Sequence, residues 1–154
     1  GEQSLELLRK KVKIIQNYLH YPGHHKGDNR IVQICLSGKK PMSAIMSDSS
    51  RFYTLDGSIS GDLNSDLPQD LLQRLSDPVK NHFKSKKNLK KDEVITLQQL
   101  VWKAHAKGRE IRFYAAGNNP KLWKQLHHAE VDWINVDNLK DYAKFVQSDN
   151  KKPD

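Results

Sequence analysis

Apolar residues recur at two periods along this chain, and the switching between them predicts helices alternating with strands. Leu5, Leu8, Val12, Ile15 and Leu19 fall at helical spacing within Ser4–Leu19, with Ser4 as its N-cap. Tyr21–Asn29 (YPGHHKGDN) reads as a loop on its Pro and Gly content. The apolar run Ile31–Leu36 is a strand ended by Ser37-Gly38. A short helix over Pro41–Ser47 and a second strand over Arg51–Leu55, closed by Asp56-Gly57, come next. Gly57–Pro68 is a polar loop, and Gln69–Arg74 begins a helical segment that breaks at Asp77-Pro78. Asp92–Lys107 carries the clearest helical stripe (Val94, Leu97, Leu100, Val101, Ala104), with Gly108 just past its end. Strand Ile111–Ala115, helix Pro120–His128, strand Val131–Val136 and a last helix over Asn138–Val146 complete the order. The polar tail, Gln147–Asp154, reads as disordered.

Strands alternating with helices imply an α/β fold of parallel (βα) units. The stretches GREIRFYAAGNN (Gly108–Asn119) and AEVDWINVDNL (Ala129–Leu139) read as the closing βαβ unit of a parallel barrel. A full barrel of that kind takes roughly 200–250 residues, and this chain has 154. The expectation is a partial TIM-barrel: a half-barrel of about four strands forming one α/β domain over residues 1–146. Open strand edges would pair with the remaining half of the barrel or with a second copy of the chain.

Side chains alternate between the two faces of a strand. Arg112 and Tyr114 therefore share one face, and Trp133, Asn135 and Asp137 share another set, while Ile111, Phe113, Ile134 and Val136 turn away. In the first strand Gln33, Cys35 and Ser37 oppose Val32, Ile34 and Leu36. Polar side chains facing a barrel interior cost free energy unless they are paired or touch a ligand. Arg112 reads either as a phosphate-binding cation or as the partner of an internal carboxylate: Asp56, Asp137 or an acid from the remaining half of the barrel. Tyr114 and Asn135 lie nearer the mouth and are better placed for a ligand.

Composition narrows the partners. The formal net charge is +8, concentrated in Lys80–Lys91 (KNHFKSKKNLKK), near Arg9–Lys13 and at Lys151-Lys152. Such runs are solvated faces or loops, or docking surfaces for an anionic partner such as a phospholipid headgroup surface or nucleic acid; no zinc-finger spacing or RNP-like aromatic signature accompanies them, and the basic balance alone does not choose between partners. The single cysteine, Cys35, excludes an internal disulfide framework and any multi-cysteine zinc site. No apolar run reaches the roughly 18–20 residues a membrane span needs. The first residue is Gly, which reads as a processed or truncated start. Adjacent histidines on a helix diverge, so neither His24-His25 in its loop nor His127-His128 on its helix reads as a metal chelate by itself. His105 reads as an ordinary surface or packing residue.

The ordered series SGKKP (Ser37–Pro41), LDG (Leu55–Gly57), LSDPVKNHF (Leu75–Phe83), AHAKGREIRFYAAGNNPKLWKQL (Ala104–Leu126) and VDWINVDNL (Val131–Leu139) resembles the C-terminal half of bacterial proteins similar to phosphatidylinositol-specific phospholipase C and glycerophosphodiester phosphodiesterase. The likeness runs from about Ile31 to Phe145 and implies a TIM-like barrel. It implies a phosphoric diester hydrolase of lipid metabolism, secreted or periplasmic, acting on a phospholipid or glycerophosphodiester headgroup. The family's catalytic histidine pair and acidic metal ligands lie on its opening strands, in motifs such as His-x-His-Asn-Asp, which nothing here matches. This chain would then contribute no catalytic residue and no metal ligand, and a divalent cation such as Ca²⁺ or Mg²⁺ would come with the other half. Ser37, Gly38, Asp56, Tyr114 and Asn135 would line the substrate side, with Arg112 beneath them. Three positions depart from the pattern: Tyr114 stands where relatives often carry Trp, Glu130 where they carry Gly, and Val136 where they carry Thr. The alternative is a non-catalytic basic module that docks on anionic lipid or another acidic partner.

Overall fold

A computed structural model describes residues 2–19, 32–85 and 87–149. The expected Tyr21–Asn29 loop with its histidine pair, the start of the first strand at Ile31, Lys86 and tail residues 150–154 lie outside them. The described elements are α1 (Glu2–Val12), a 3-10 stretch (Lys13–Tyr18), β1 (Ile34–Leu36), α2 (Met42–Met46), β2 (Tyr53–Gly57), α3 (Ile59–Asp62), β3 (Arg74–Pro78) and a 3-10 turn (Val79–Asn81). There follow α4 (Lys91–His105), β4 (Glu110–Tyr114), α5 (Pro120–His128), β5 (Trp133–Ile134) and α6 (Leu139–Asp149). The chain is α/β: among the described residues five strands alternate with helices, and every registered pairing is parallel.

Five strands rather than four is a correction, and the extra one is β3. Leu71, Leu72 and Leu75 stand at helical spacing, which is why Gln69–Arg74 reads as the start of a helix. Pro78 disfavours helical backbone at Asp77, and Arg74 gains a cross-strand partner in Glu110, which it faces in register. The two side chains meet at 3.1 Å. Two helix ends also differ. Ser4 lies inside α1, which opens at Glu2, so it is not the N-cap. The regular helix stops at Val12 and tightens, because Leu19 must turn extended (ψ 128°) to bridge Val32. Leu19 is almost wholly buried there.

The chain gathers into two compact units, Gly1–Gly57 with Asp66–Gln73, and Ser58–Ser65 with Arg74–Asp154. In the first, β1 and β2 pair from Ile34↔Tyr53 to Leu36↔Leu55, and Leu55 N–H reaches the Leu71 carbonyl at 2.7 Å. Its polar anchor is Asp48, 8% exposed, which accepts from the Tyr53 hydroxyl (2.8 Å), from Ser50 N–H and Oγ (3.0 Å each) and from Arg9 of α1. Burial by itself would raise the Asp48 pKa, but these donors outweigh it and hold the group below its ordinary value. Burial, then the bond to Asp48, pushes the Tyr53 hydroxyl up to about 12.

The second unit is a β3-β4-β5 sheet in chain order, with Arg74↔Glu110 and Arg112↔Trp133 among its register pairs. Parallel neighbours joined by helical crossovers are right-handed in nearly all proteins, which puts α4 and α5 on one face. The burial pattern agrees. Leu75, Ile111 and Phe113 are inaccessible on the face that meets Leu97, Val101 and Ala104 of α4 and Leu122, Trp123 and Leu126 of α5. Phe145 of α6 closes the layer against Trp123, ring centroids 5.7 Å apart. Removing that many apolar side chains from water is the main stabilising term, at about 1.5–3 kcal/mol per large side chain.

The lysine-rich loop is exposed, as its charge implies, yet it is tied down at both ends. Gln125 Nε2 donates to the Leu89 carbonyl at 2.9 Å while its oxygen accepts Leu89 N–H at 2.8 Å. Glu93 accepts the N–H groups of Lys84 (2.8 Å), Ser85 (3.0 Å) and Lys90 (2.9 Å). The Ser85 hydroxyl first, and these amides with it, pull the Glu93 carboxyl from its ordinary 4.5 down to about 2. A carboxyl depressed in the folded state contributes stability that is complete above its unfolded value and disappears as pH falls through the folded one. A carbon-detected NMR titration should therefore place the Glu93 midpoint near 2, with the loop amides shifting together, and a midpoint near 4.5 would refute the anchor.

Candidate functional site

In parallel α/β architectures functional groups gather beyond the C-terminal ends of the strands. In the second unit that end is built by β4, the loop after it and the start of α5. Asn119 caps α5: its Oδ1 accepts Lys121 N–H (3.1 Å) and Leu122 N–H (3.4 Å), and its Nδ2 donates to the Lys87 carbonyl (2.6 Å). Pro120 then supplies the fixed φ of a first helical position. Trp123, fully buried, donates its indole N–H to the Gly117 carbonyl at 3.1 Å. Ala115 (φ 54°) and Gly117 (φ 64°) are both left-handed, so the chain turns sharply twice within three residues. The result is an open groove of about 550 Å³ lined by Lys87, Asn88, residues 115–119 and Lys121. Two lysines give it a positive potential suited to an anion; the first amides of α5 are taken by the Asn119 side chain.

Beneath the groove, on the sheet face away from α4 and α5, lie two tiers of polar and aromatic side chains. In the upper tier Arg112 Nη2 donates to Asn135 Oδ1 at 2.8 Å, and its guanidinium stands 5.6 Å from the Tyr114 ring centre. In the lower tier Arg74 lies 4.5 Å over the Trp133 ring. Glu110 Oε2 accepts from Arg74 Nε (3.2 Å) and from the Trp133 indole (2.8 Å). Tyr114 is 37% and Trp133 47% exposed, so this face is charged, aromatic and partly open to solvent.

The structure thus brings Arg112, Tyr114 and Asn135 together, as their shared strand face requires. Ser37 and Gly38 follow the end of β1, exposed, with Gly38 left-handed (φ 75°) and its carbonyl accepting from Lys40 at 3.1 Å. Asp56 lies within β2, half-buried. These three belong to the first unit and the other three to the second. Ser37 lines a 320 Å³ groove of its own, with Leu5, Leu8, Lys39 and Lys40.

Two constellations were not foreseen. Buried Asp77 accepts Ser60 N–H (2.9 Å) and the Ser60 hydroxyl (2.6 Å), and the same oxygen faces His82 Nε2 at 2.8 Å. The carboxylate stands between hydroxyl and imidazole, so the histidine does not touch the serine as a nucleophile's base must. This arrangement positions chain segments and does not activate an oxygen. The second, His127, His128 and Asp149, is, among the described residues, the group whose donor atoms converge closely enough for a metal ion. Its nitrogen-rich donor set does not fit the Ca²⁺ or Mg²⁺ that the resemblance would bring, since those ions take oxygen ligands. His105 pairs with Asp132 at 2.9 Å, on a carboxylate that also accepts Ile111 N–H (2.7 Å).

Among the described residues no helix is long and apolar enough to cross a membrane. No family model, curated protein or solved structure matches this chain.

Proposed function

We propose that this chain is part of a phosphoric diester hydrolase acting, in a secreted or periplasmic setting, on a phospholipid or glycerophosphodiester headgroup. In this reading its strands are a stretch of a TIM-like barrel, and the chain supplies the substrate-side wall. The catalytic histidines and a divalent cation belong to the barrel's remaining strands. The observation that carries it is the groove lined by Lys87, Lys121 and the loop after β4, set at the C-terminal end of parallel strands. Two further features support it. Helices α4 and α5 lie on one face of the second unit's sheet, and on the other face Arg112 touches both Tyr114 and Asn135. Glu130, which stands where the resemblance expects Gly, has a φ of 61°, the backbone region glycine favours.

The test is a titration of the isotopically labelled chain with glycerophosphoinositol and glycerophosphocholine. Amide shifts should concentrate at residues 115–119, Lys87 and Lys121, with no product formed. Lys87→Ala and Lys121→Ala should each weaken binding by about 3–10-fold. No shift in the groove would overturn the reading, and turnover by this chain alone would overturn its division of labour. A second reading, a basic module for anionic lipid without catalysis, is favoured by the exposure of Lys80, Lys84, Lys87, Lys90 and Lys91 on one anchored loop. It predicts salt-sensitive binding to phosphatidylserine vesicles and a silent groove.

A further inference from the structure

The C-terminal ends of α5 and α6 meet in a cluster that the proposed phosphodiester chemistry does not use. His127 and His128 are the last two residues of α5, and Asp149 is the last of α6. Asp149 Oδ2 lies 3.0 Å from His127 Nδ1 and 3.6 Å from His128 Nε2, and all three donor atoms fall within 4.8 Å of one another. Metal–ligand bonds of about 2.0–2.1 Å in a tetrahedron put neighbouring donors about 3.3 Å apart, a spacing that the two measured distances bracket. Adjacent histidines diverge on a helix, but here they do not act as a pair alone: the carboxylate comes from another helix and stands between them. Both helices also end here, and the negative ends of two helix dipoles favour a cation.

The site is asymmetric in exposure. Asp149 keeps only 9% of its side-chain surface, while His127 and His128 keep 43% and 53%. Burial by itself would raise the Asp149 carboxyl, but the hydrogen bond from His127 and the charges of His128, Lys124 and His127 hold it below its ordinary value. Lys124 Nζ stands 3.8 Å from the other carboxylate oxygen, Oδ1, and leaves Oδ2 to the histidines.

We propose that His127, His128 and Asp149 form a zinc site with three protein ligands and an outward position left to water. Two imidazoles and a carboxylate suit a borderline transition ion and not a hard one. On binding, the ion would take the place of the proton between His127 Nδ1 and Asp149 Oδ2, that proton moving to His127 Nε2 or, from the charged imidazole, leaving to solvent, and would cross-link the ends of α5 and α6. The site is separate from the groove: the nine residues of α5 span about 13 Å at ~1.5 Å each, and the groove lies at their other end.

Zinc titrated calorimetrically into the full chain should bind with one strong equivalent. His128→Ala, at a half-exposed position where folding is little disturbed, should weaken it about 10-fold or more. Lys124→Ala should tighten it, because a positive charge leaves the ion's surroundings, a response that a merely structural role would not produce. The double change His24→Ala/His25→Ala should leave it unaltered. Cobalt in place of zinc should give the intense visible absorption of a four-coordinate site. An affinity unaltered in His128→Ala, a loss of binding confined to the His24/His25 variant, or no binding by the unaltered chain would each overturn the proposal.

Discussion

Asp77→Ala is expected to lower the unfolding free energy by about 3 kcal/mol. One oxygen of this 6%-exposed carboxylate receives Ser60 N–H, the Ser60 hydroxyl and a contact from His82. Removing it leaves a backbone donor and an imidazole, packed edge-on to Phe113 at 5.8 Å, without their acceptor. Asp77→Asn retains an oxygen that accepts from Ser60 and should cost about half as much. Urea unfolding followed by tryptophan fluorescence reads the effect directly, since Trp102, Trp123 and Trp133 all lie in the second unit. If Asp77→Ala and Asp77→Asn unfold at the same urea concentration as the unaltered chain, the carboxylate is not an anchor.

Arg109→Met is expected to cost about 2–4 kcal/mol, although it keeps most of the apolar stem. The guanidinium is 4% exposed for the residue as a whole. Its Nη1 donates to the carbonyls of Asp62 (2.8 Å) and Leu63 (3.3 Å), and Nη2 donates to that of Ser65 (2.7 Å). Lysine, a single point charge, cannot reach all three oxygens in the fork geometry, so Arg109→Lys should recover only part of the loss. Asp77 and Arg109 hold the two ends of one segment, Ser58–Ser65, which joins the second unit although it follows β2 in the chain. Once either end is released, the other has less to hold. The double variant should therefore lose about 1 kcal/mol less than the sum of the single losses. Strict additivity would show that the two residues act on separate parts of the fold.

The elements that local chemistry marks most strongly were the most legible. Helix α5 opens and closes where Asn119-Pro120 and the end of its apolar stripe say it should, and α4 starts within one residue of its expected place. The last helix runs on to Asp149, past the final residue of its apolar pattern. Strand β2, Tyr53–Gly57, lies two residues on from the expected Arg51–Leu55 at both ends, its ladder with β1 beginning at Ile34↔Tyr53. Strand β3 was hidden, since RLSDP has a single large apolar residue and no alternation to announce it. The Arg–Pro span is a strand because β4 offers it Glu110 and a row of amides.

The same division holds for the sites. The period of a strand alone places Arg112 with Tyr114 and turns both away from Ile111 and Phe113. That placement needs no partner, so sequence could determine it, along with the parallel α/β class and the basic loop. Contacts between residues far apart in the chain obey no local period. The meeting of His127 and His128 with Asp149, of Asp77 with Ser60, and of Arg109 with the carbonyls after α3 depends on how helices and loops pack. Those meetings come from packing, because each is set by the burial of apolar faces elsewhere and not by the residues that meet.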